Sequence, residues 1–185
     1  MAERNLPVVA IVIGSDESVI AAQNTLKTLQ SLESVAQNTG HPVVMSYHQN
    51  TNEEKRSTTD QAVRAVISSL AVLASGKNQE MDYRDLVHWA HYNKVNEGPA
   101  QLATLSIATS EKEFTQLTAP ISVASIYSSP DQPHVTTGAD YHSAGYADLS
   151  EFHDLEEMHF AIDLNRLAQI GKLIRDRVAK MEQEK

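Results

Sequence analysis

The stretch PVVAIVIGSDES, residues 7–18, decides the fold of this chain because it joins a strand to the start of a helix. Residues 7–13 are a continuous run rich in β-branched side chains, which is the pattern of a strand buried on both faces. Gly14 ends the run, and Ser15 and Asp16 offer oxygens that can cap a following helix. We therefore expect a buried strand that leads through a short turn into a helix.

The residues after this turn complete a strand–helix–strand unit. Apolar residues recur at helical spacing as far as an Asn-Thr-Gly stop at 38–40, and PVVMSY, residues 42–47, is typical of a second short strand. Two strands joined by such a crossover are parallel neighbours in one sheet. The apolar helix positions are Ala22, Leu26, Leu29, Leu32 and Ala36.

The remaining elements predict an α/β fold with a small mixed sheet of about four strands flanked by helices. Periodicity predicts a helix between residues 60 and 76 and a shorter helix after Asp82. Segments 102–108 and 120–127 are predicted to be strands that could pair with each other. Residues 1–127 are therefore predicted to form one α/β domain.

Two segments follow this domain. Residues 128–147 contain prolines and glycines without an apolar period, which predicts a long loop. Asp148 and Glu151 have the spacing of a capping box, and apolar residues then recur at helical spacing towards the end of the chain. We expect residues 148–185 to form a long amphipathic helix that packs on the domain or on a partner.

The stretch DYHSAGYADLSEFHDLEEMH, residues 140–159, combines three histidines with six carboxylates. Acidic residues at a helix start complement the helix dipole, and this explanation accounts for most of the pattern. His153 and His159 are six residues apart and cannot bind one metal ion as an i, i+4 pair does. A metal site of His142, His153 and Glu157 is the alternative.

Composition narrows the class of protein. The chain has 185 residues, a formal net charge of −9 and no cysteine, and it has no basic run interleaved with aromatic residues. These properties disfavour a nucleic-acid-binding protein and exclude disulfide bonds and thiolate metal sites. The first apolar run, of about seven residues, is too short for a signal peptide or a membrane span. We expect a cytoplasmic protein.

The sequence contains no Walker P-loop, no dinucleotide-binding G-x-G-x-x-G and no G-x-S-x-G hydrolase motif. Ser15 and Asp16 follow the first strand and His48 follows the second, at the carboxyl ends where open α/β sheets bind ligands. A phosphate could bind Ser15 at the helix start. Helix capping alone is the alternative, and the residue types favour it.

Residues 8–50 resemble the start of class I aminoimidazole-ribonucleotide mutases and carboxylases, in which a G-S-x-S-D turn follows the first strand and S-A-H-R-T-P follows the second. The resemblance implies that Ser15 contacts phosphate or substrate and that His48 is the catalytic proton carrier. The departures from the two motifs fall on Glu17, Ser18 and Gln49.

A longer part of the chain resembles the carboxy-terminal domain of tubulin and FtsZ proteins. The matching segments are PVVAIVIGSDES, AAQNTLKTLQSL, VVMSYHQN and MDYRDLVHW, in the order strand, helix, strand, helix, short helix, strand, strand. The glycine-rich signature loop of that family's GTPase half has no counterpart in this sequence. The resemblance therefore implies an assembly module without the GTPase.

The sequence favours a non-enzymatic structural or assembly subunit of a filament, a particle such as a virion, or a complex. Its expected partners are other protein subunits or copies of itself, and we expect no cofactor, no nucleic acid and no membrane as partner. Its expected location is the cytoplasm or a particle assembled there. The alternative is an enzyme like the phosphosugar mutases and carboxylases, with Ser15, Asp16 and His48 as its site.

Overall fold

The computed structural model describes residues 8–75, 80–117, 119–152 and 155–183. Its strands are β1 (Val8–Ser15), β2 (Val43–Asn50), β3 (Leu102–Ala108), β4 (Ser122–Tyr127), β5 (Tyr141–Tyr146) and β6 (Glu157–Asp163). Its helices are α1 (Val19–Thr39), α2 (Arg56–Leu73), α3 (Tyr83–Ala90), α4 (Tyr92–Val95), α5 (Glu111–Phe114) and α6 (Arg166–Gln183). A 3-10 turn covers Ser150–Phe152.

The six strands of the described chain form one mixed sheet in the order β1-β2-β3-β6-β4-β5. β1, β2 and β3 are parallel, β6 is antiparallel to its neighbours β3 and β4, and β5 is parallel to β4. The predicted α/β class and the parallel β1–β2 pair are confirmed. The prediction of about four strands is wrong, because β5 and β6 lie in segments that the sequence predicts to be loop and helix.

Helices cover both faces of the sheet. On one face α1 and α6 pack against β1, β2 and β3 through a core that includes Ala22, Leu29, Met45, Leu102 and Ile174. On the other face α2 and α3 pack through a core that includes Val44, Leu73, Trp89, Ala103 and Phe160. Each fully buried Leu, Ile or Phe side chain contributes roughly 1.5–3 kcal/mol. Among the described helices, none is long and apolar enough to cross a bilayer.

The ends of α1 follow from local chemistry. The hydroxyl of Ser18 accepts a hydrogen bond from the N–H of Ala21 at 3.2 Å and caps the helix start. Gly40 ends the helix with φ of 68°, in the left-handed region where glycine has no Cβ to clash. The predicted Asn-Thr-Gly stop is confirmed. The predicted cap at Ser15 and Asp16 is wrong, because β1 continues through Ser15 and α1 starts later.

The first strand lies at the edge of the sheet. The sequence predicts a strand buried on both faces, and this prediction is wrong: most of β1 is half-buried, and the side chain of Ile13 is 50% exposed. A β-branched run has the same appearance in a central strand and in an edge strand. Long-range pairing decides which of the two forms, and here only β2 pairs with β1 among the described strands.

The segment Glu157–Asp163 forms the central strand β6, where the sequence predicts a helix. Met158 and Ile162 have helical spacing, but all residues of β6 after Glu157 are buried. A strand covered on both faces loses its two-residue alternation, so periodicity alone cannot distinguish it from a buried helix. The predicted pairing of β3 with β4 is wrong as well, because β6 lies between them.

The carboxy-terminal helix begins after β6. The carboxylate of Asp163 accepts hydrogen bonds from the N–H groups of Asn165 at 2.9 Å and Arg166 at 2.8 Å, which satisfies the first free donors of α6. The predicted helix start at Asp148 is wrong, because only the short turn Ser150–Phe152 forms there. The predicted amphipathic helix is therefore α6 alone.

The predicted loop contains an edge strand. Residues 128–140 have no helix or strand, but Tyr141–Tyr146 forms β5 and pairs with β4, so the loop prediction is wrong for this segment. Its sequence, YHSAGY, has no β-branched residue and no apolar run. β5 and β6 both belong to the same sheet as the strands before residue 127.

Candidate functional site

The carboxyl ends of β1 and β2 bring together residues that the sequence selects as a candidate site. The two strands are paired in register along their whole length, and the N–H of Asp16 donates to the carbonyl of Asn50 at 3.1 Å just beyond them. Charged groups from three separate segments meet at this end. We define the strand-end cluster as Ser15, Asp16, Glu17, Arg56 and Arg177.

Ser15 is bound to a neighbouring carboxylate. Its hydroxyl donates to Oε2 of Glu17 at 2.9 Å, and the N–H of Glu17 donates back to that hydroxyl at 3.3 Å. Arg56 contacts both oxygens of the same carboxylate at 3.1 and 3.0 Å. The hydrogen bond from Ser15 and then Arg56 lower the pKa of Glu17, which is therefore ionised at neutral pH. A carboxylate in this place repels a phosphate and disfavours phosphate binding at Ser15.

Arg177 links the cluster to α6. Its guanidinium lies 2.9 Å from the carboxylate of Glu53 and 3.9 Å from that of Asp16. Arg177 is 124 residues from Glu53 along the chain, and Arg56 is 39 residues from Glu17. No local signal in the sequence indicates either arginine, because each meets its partner only after the chain has folded.

His48 lies on β2 with its Nε2 3.0 Å from the hydroxyl of Ser46. Burial and then the guanidinium of Arg166 lower the pKa of His48, so its ring is neutral at pH 7. Ser15 and His48 each have another partner, and no hydrogen bond or ion pair joins them in the described part of the chain. The roles of Ser15, Asp16 and His48 in an enzyme site stay predictions.

A cleft of ≈ 450 Å³ opens between the strand-end cluster and α6. Its polar groups include Asp16, Gln49 and Arg166, and the apolar residues of α6 in its lining are Ile170, Leu173 and Ile174. Leu173 is 69% exposed. An exposed leucine bordered by charged groups is suited to contact with another protein surface.

A second group of polar residues lies inside the sheet, on β4, β5 and β6. The hydroxyl of Ser125 is 3.0 Å from Nε2 of His142 and 3.0 Å from Nδ1 of His159. Nε2 of His159 is 3.4 Å from a carboxylate oxygen of Glu157. One proton arrangement is consistent with both hydrogen bonds of Ser125: His142 donates to Ser125, and Ser125 donates to Nδ1 of His159. Nε2 of His159 is buried close to Glu157 without forming a hydrogen bond. We call these four residues the buried network.

The buried network combines the residue types of a catalytic triad but cannot act as one. Ser125 and His159 are both 0% exposed, so no substrate can reach the serine oxygen. Burial lowers the pKa of His159 to about 4. Burial, and then His134 and His159, lower the pKa of His142. Both rings are neutral at pH 7, and the network holds three strands together.

The structure brings together two of the three predicted metal ligands only indirectly. His142 and Glu157 are connected through Ser125 and His159, and His153 lies outside the described residues. In the described ranges no group of three or more histidine, aspartate or glutamate side chains is arranged to hold a metal ion. The proposed ligand set of His142, His153 and Glu157 stays a prediction. In the sequence, His159 is six residues from His153 and forms an i, i+4 pair with Asp163, and neither spacing indicates its contact with Ser125.

Comparison with known proteins identifies the class of this fold. Residues 81–165 match the family model of the carboxy-terminal domain of phage tubulin-like proteins. A phage tubulin-like protein of Pseudomonas phage phiKZ is 31% identical over 178 residues, which are 96% of this chain and 54% of the relative. The chain is a tubulin carboxy-terminal-domain-like protein. The resemblance predicted from the sequence is confirmed.

Two further matches cover almost all of this chain. A phage tubulin-like protein of Pseudomonas phage 201phi2-1 is 24% identical over all of this chain and 59% of its own length. The structure described as a protofilament of TubZ from bacteriophage PhiKZ superposes with a TM-score of 0.92 at 30% identity, covering 99% of this chain and 58% of that one. The chain thus spans little more than half the length of the relatives it matches. The resemblance of residues 8–50 to the mutases and carboxylases stays a prediction.

Proposed function

We propose that this tubulin-like chain is a structural subunit whose α/β fold assembles with copies of itself or with related tubulin-like subunits. The observation that supports this proposal most directly is the TM-score of 0.92, over 99% of the chain, with a protein whose structure is described as a protofilament. The similarity therefore covers the fold that we propose makes the contacts between subunits. The chain covers 58% of that protein, and the proposal concerns this region.

The geometry of the strand-end cluster is consistent with an assembly role. Ion pairs of Arg177 with Asp16 and Glu53 connect the turn after β1, the loop after β2 and helix α6 at one surface. Leu173 projects beside this surface. Charged groups around an exposed apolar side chain can orient a partner, and burial of Leu173 against that partner contributes binding free energy.

We also propose that the subunit acts in the cytoplasm or in a particle assembled there, without nucleic acid or membrane as partner. The net charge of −9 supports this part of the proposal, because a chain of that charge repels phosphate backbones and anionic lipid surfaces.

Sedimentation velocity and native mass spectrometry over a concentration series test the assembly role. We expect species that grow with concentration, and we expect Leu173→Glu to raise the concentration for half-assembly at least about tenfold, which corresponds to about 1.4 kcal/mol. Ile67→Glu is the matched control, because Ile67 is 52% exposed on α2, on the other face of the sheet. A chain that stays monomeric to hundreds of micromolar would contradict the proposal.

The enzyme alternative is tested on the same samples. If the Ser15 and His48 site were catalytic, His48→Asn would abolish turnover of a phosphosugar substrate and leave assembly unchanged. A phosphorylated small molecule retained in the native mass spectrum, and lost on His48→Asn, would support that alternative over the structural role. We expect no such molecule, because the carboxylate of Glu17 occupies the hydroxyl of Ser15.

A further inference from the structure

The outer side of β1 has unpaired backbone groups. The N–H of Asp16 points at β2, where it meets Asn50, whereas the N–H and carbonyl of Ser15 point away from β2 and both bond the Thr25 hydroxyl, at 2.9 and 3.1 Å. Backbone groups of successive residues alternate between the two sides of a strand. The N–H and carbonyl groups of Val9, Ile11 and Ile13 therefore also point outward, and no strand of the described chain pairs with them.

A groove of ≈ 260 Å³ runs between this open edge and α1. Its walls are uncharged residues of β1 and α1, among them Ile13, Asn24 and Thr28. Thr25 closes the groove near Ser15, and Gly14 makes this approach possible, because a Cβ at position 14 would lie 2.7 Å from Cγ2 of Thr25. The open part of the edge is therefore the part before Gly14. We define the free-edge surface as the outer side of β1 with the exposed face of α1.

The free-edge surface is depleted of charge. In β1 and α1 only Lys27 and Glu33 are charged, and Glu33 bonds inward to the N–H of Leu102. Charged residues make up 21% of the whole chain. The same surface exposes large apolar side chains, with Ile20 72% and Val35 47% exposed. Depletion of charge with retained apolar groups is characteristic of the core of a protein interface.

We propose that the free-edge surface binds the same surface of a second copy of this chain, with the two β1 strands antiparallel. In the register that places Ile11 opposite Ile11 and Val9 opposite Ile13, every outward N–H of one strand meets an outward carbonyl of the other. The pairing joins two sheets into one continuous sheet across a two-fold axis, which makes the contact self-complementary.

Charge and helix spacing both favour a second copy as the occupant. Two chains of net charge −9 repel each other, and they approach at least cost through their least charged surfaces. Because α1 packs over β1 and β2, the pairing places the two α1 helices about 10 Å apart, within the usual distance of packed helices. A charged partner of another kind would find no complementary charge here. This closed pair goes beyond the proposed assembly role and does not depend on Leu173.

Dimerisation of the whole chain, measured by sedimentation equilibrium, tests the inference. We expect a concentration-dependent dimer whose dissociation constant rises at least about tenfold with Ile13→Lys, because two lysines then enter a desolvated contact. Asn24→Lys on the groove side of α1 is expected to have the same effect. Ile67→Lys on α2, on the other face of the sheet, is the matched control and leaves dimerisation unchanged.

Hydrogen exchange supplies the second measurement. Exchange of the amides of Val9, Ile11 and Ile13 is expected to slow at concentrations that favour the dimer, and a thermal melt of each variant shows that it remains folded. A strictly monomeric chain, or a dimer that neither Ile13→Lys nor Asn24→Lys weakens, would overturn the inference. If the Ile13→Lys and Asn24→Lys variants lose the dimer but still form larger assemblies, the free-edge surface and the Leu173 surface act separately. If the unmodified chain forms the dimer but no larger assemblies, only the proposed assembly role is contradicted.

Discussion

The strand-end cluster and the buried network combine similar side chains in opposite surroundings. In the first, the hydroxyl of Ser15 bonds a carboxylate that is paired with Arg56, whose side chain is 72% exposed. In the second, Ser125 bonds two histidines inside the sheet and is 0% exposed. Water reaches the ion pair of Glu17 and Arg56 in the strand-end cluster, and it does not reach Ser125 or His159 in the buried network. Burial, and not residue type, therefore decides which group matters for stability.

The buried network and the strand-end cluster also have different roles. A buried network fixes the pairing of β4, β5 and β6, because an unpaired polar atom there carries its full desolvation cost. A surface cluster fixes the orientation of loops and presents charge to partners at low cost in stability. The four predictions that follow test this division, from the largest expected effect to the smallest.

Removal of the central histidine of the buried network should have the largest effect. His159→Ala leaves a cavity and takes a partner from Ser125, and we expect the free energy of unfolding to fall by about 3–4 kcal/mol. Urea unfolding followed by circular dichroism measures the change. His134→Ala is the control: His134 is exposed, stacks on Tyr127 at 4.7 Å and is expected to matter far less. Equal losses for the two variants would refute the contrast.

Stability should fall as the pH falls. The pKa of His159 is about 4 in the folded chain and about 6.5 in the unfolded chain, so between these values only the unfolded state binds the proton. Its contribution is complete above the higher value and is lost progressively on acidification to the lower one, by roughly 3 kcal/mol. Unfolding titrations at pH 7, 6 and 5 should show this slope, and His159→Ala should reduce it. An unchanged slope would assign the effect to other groups.

Gly14→Ala tests packing at the start of the strand-end cluster. A Cβ there would collide with the Tyr47 hydroxyl and lie 2.7 Å from Cγ2 of Thr25. We expect a loss of about 1–3 kcal/mol from this overpacking, measured by urea unfolding. Gly138→Ala is the control, because a Cβ at Gly138 has open space around it. Destabilisation of the control by a similar amount would show that the collision at position 14 is not the cause.

Arg56→Ala should have the smallest effect. It removes the ion pair with Glu17 at the exposed surface, and we expect the melting temperature to change by no more than about 2 °C. Addition of 0.5 M salt, about the level that screens exposed charges, should make even this difference disappear. A loss as large as that of His159→Ala would mean that the strand-end cluster supports the fold as strongly as the buried network does.

The first part of the fold was predictable from local pattern. The run VVAIVI, the Asn-Thr-Gly stop and the helical spacing of Ala22, Leu29 and Ala36 predict strand, helix and parallel strand, and the structure confirms them. Their signals lie within one element or at its ends. β5 and β6 have no such signal: a polar edge strand resembles a loop, and a fully covered central strand resembles a helix.

The candidate sites divide in the same way. Ser15, Asp16 and His48 could be found from their places at the ends of predicted strands, and His142 and Glu157 from their clustering in sequence. The residues that form hydrogen bonds or ion pairs with them could not be found from the sequence. Ser125 meets His142 and His159 across 17 and 34 residues, and Arg177 meets Glu53 across 124, so only the folded sheet defines these contacts.

By itself the sequence determined the α/β class, the parallel strand–helix–strand start and the resemblance to the tubulin carboxy-terminal domain, because these depend on periodicity, turn residues and short motifs. The tertiary structure alone decided the strand order, the edge position of β1 and the burial of Ser125 and His159. Strand order is set by hydrogen bonds between distant segments, and burial by what covers each face. Neither strand order nor burial on both faces produces a periodic pattern in the local sequence.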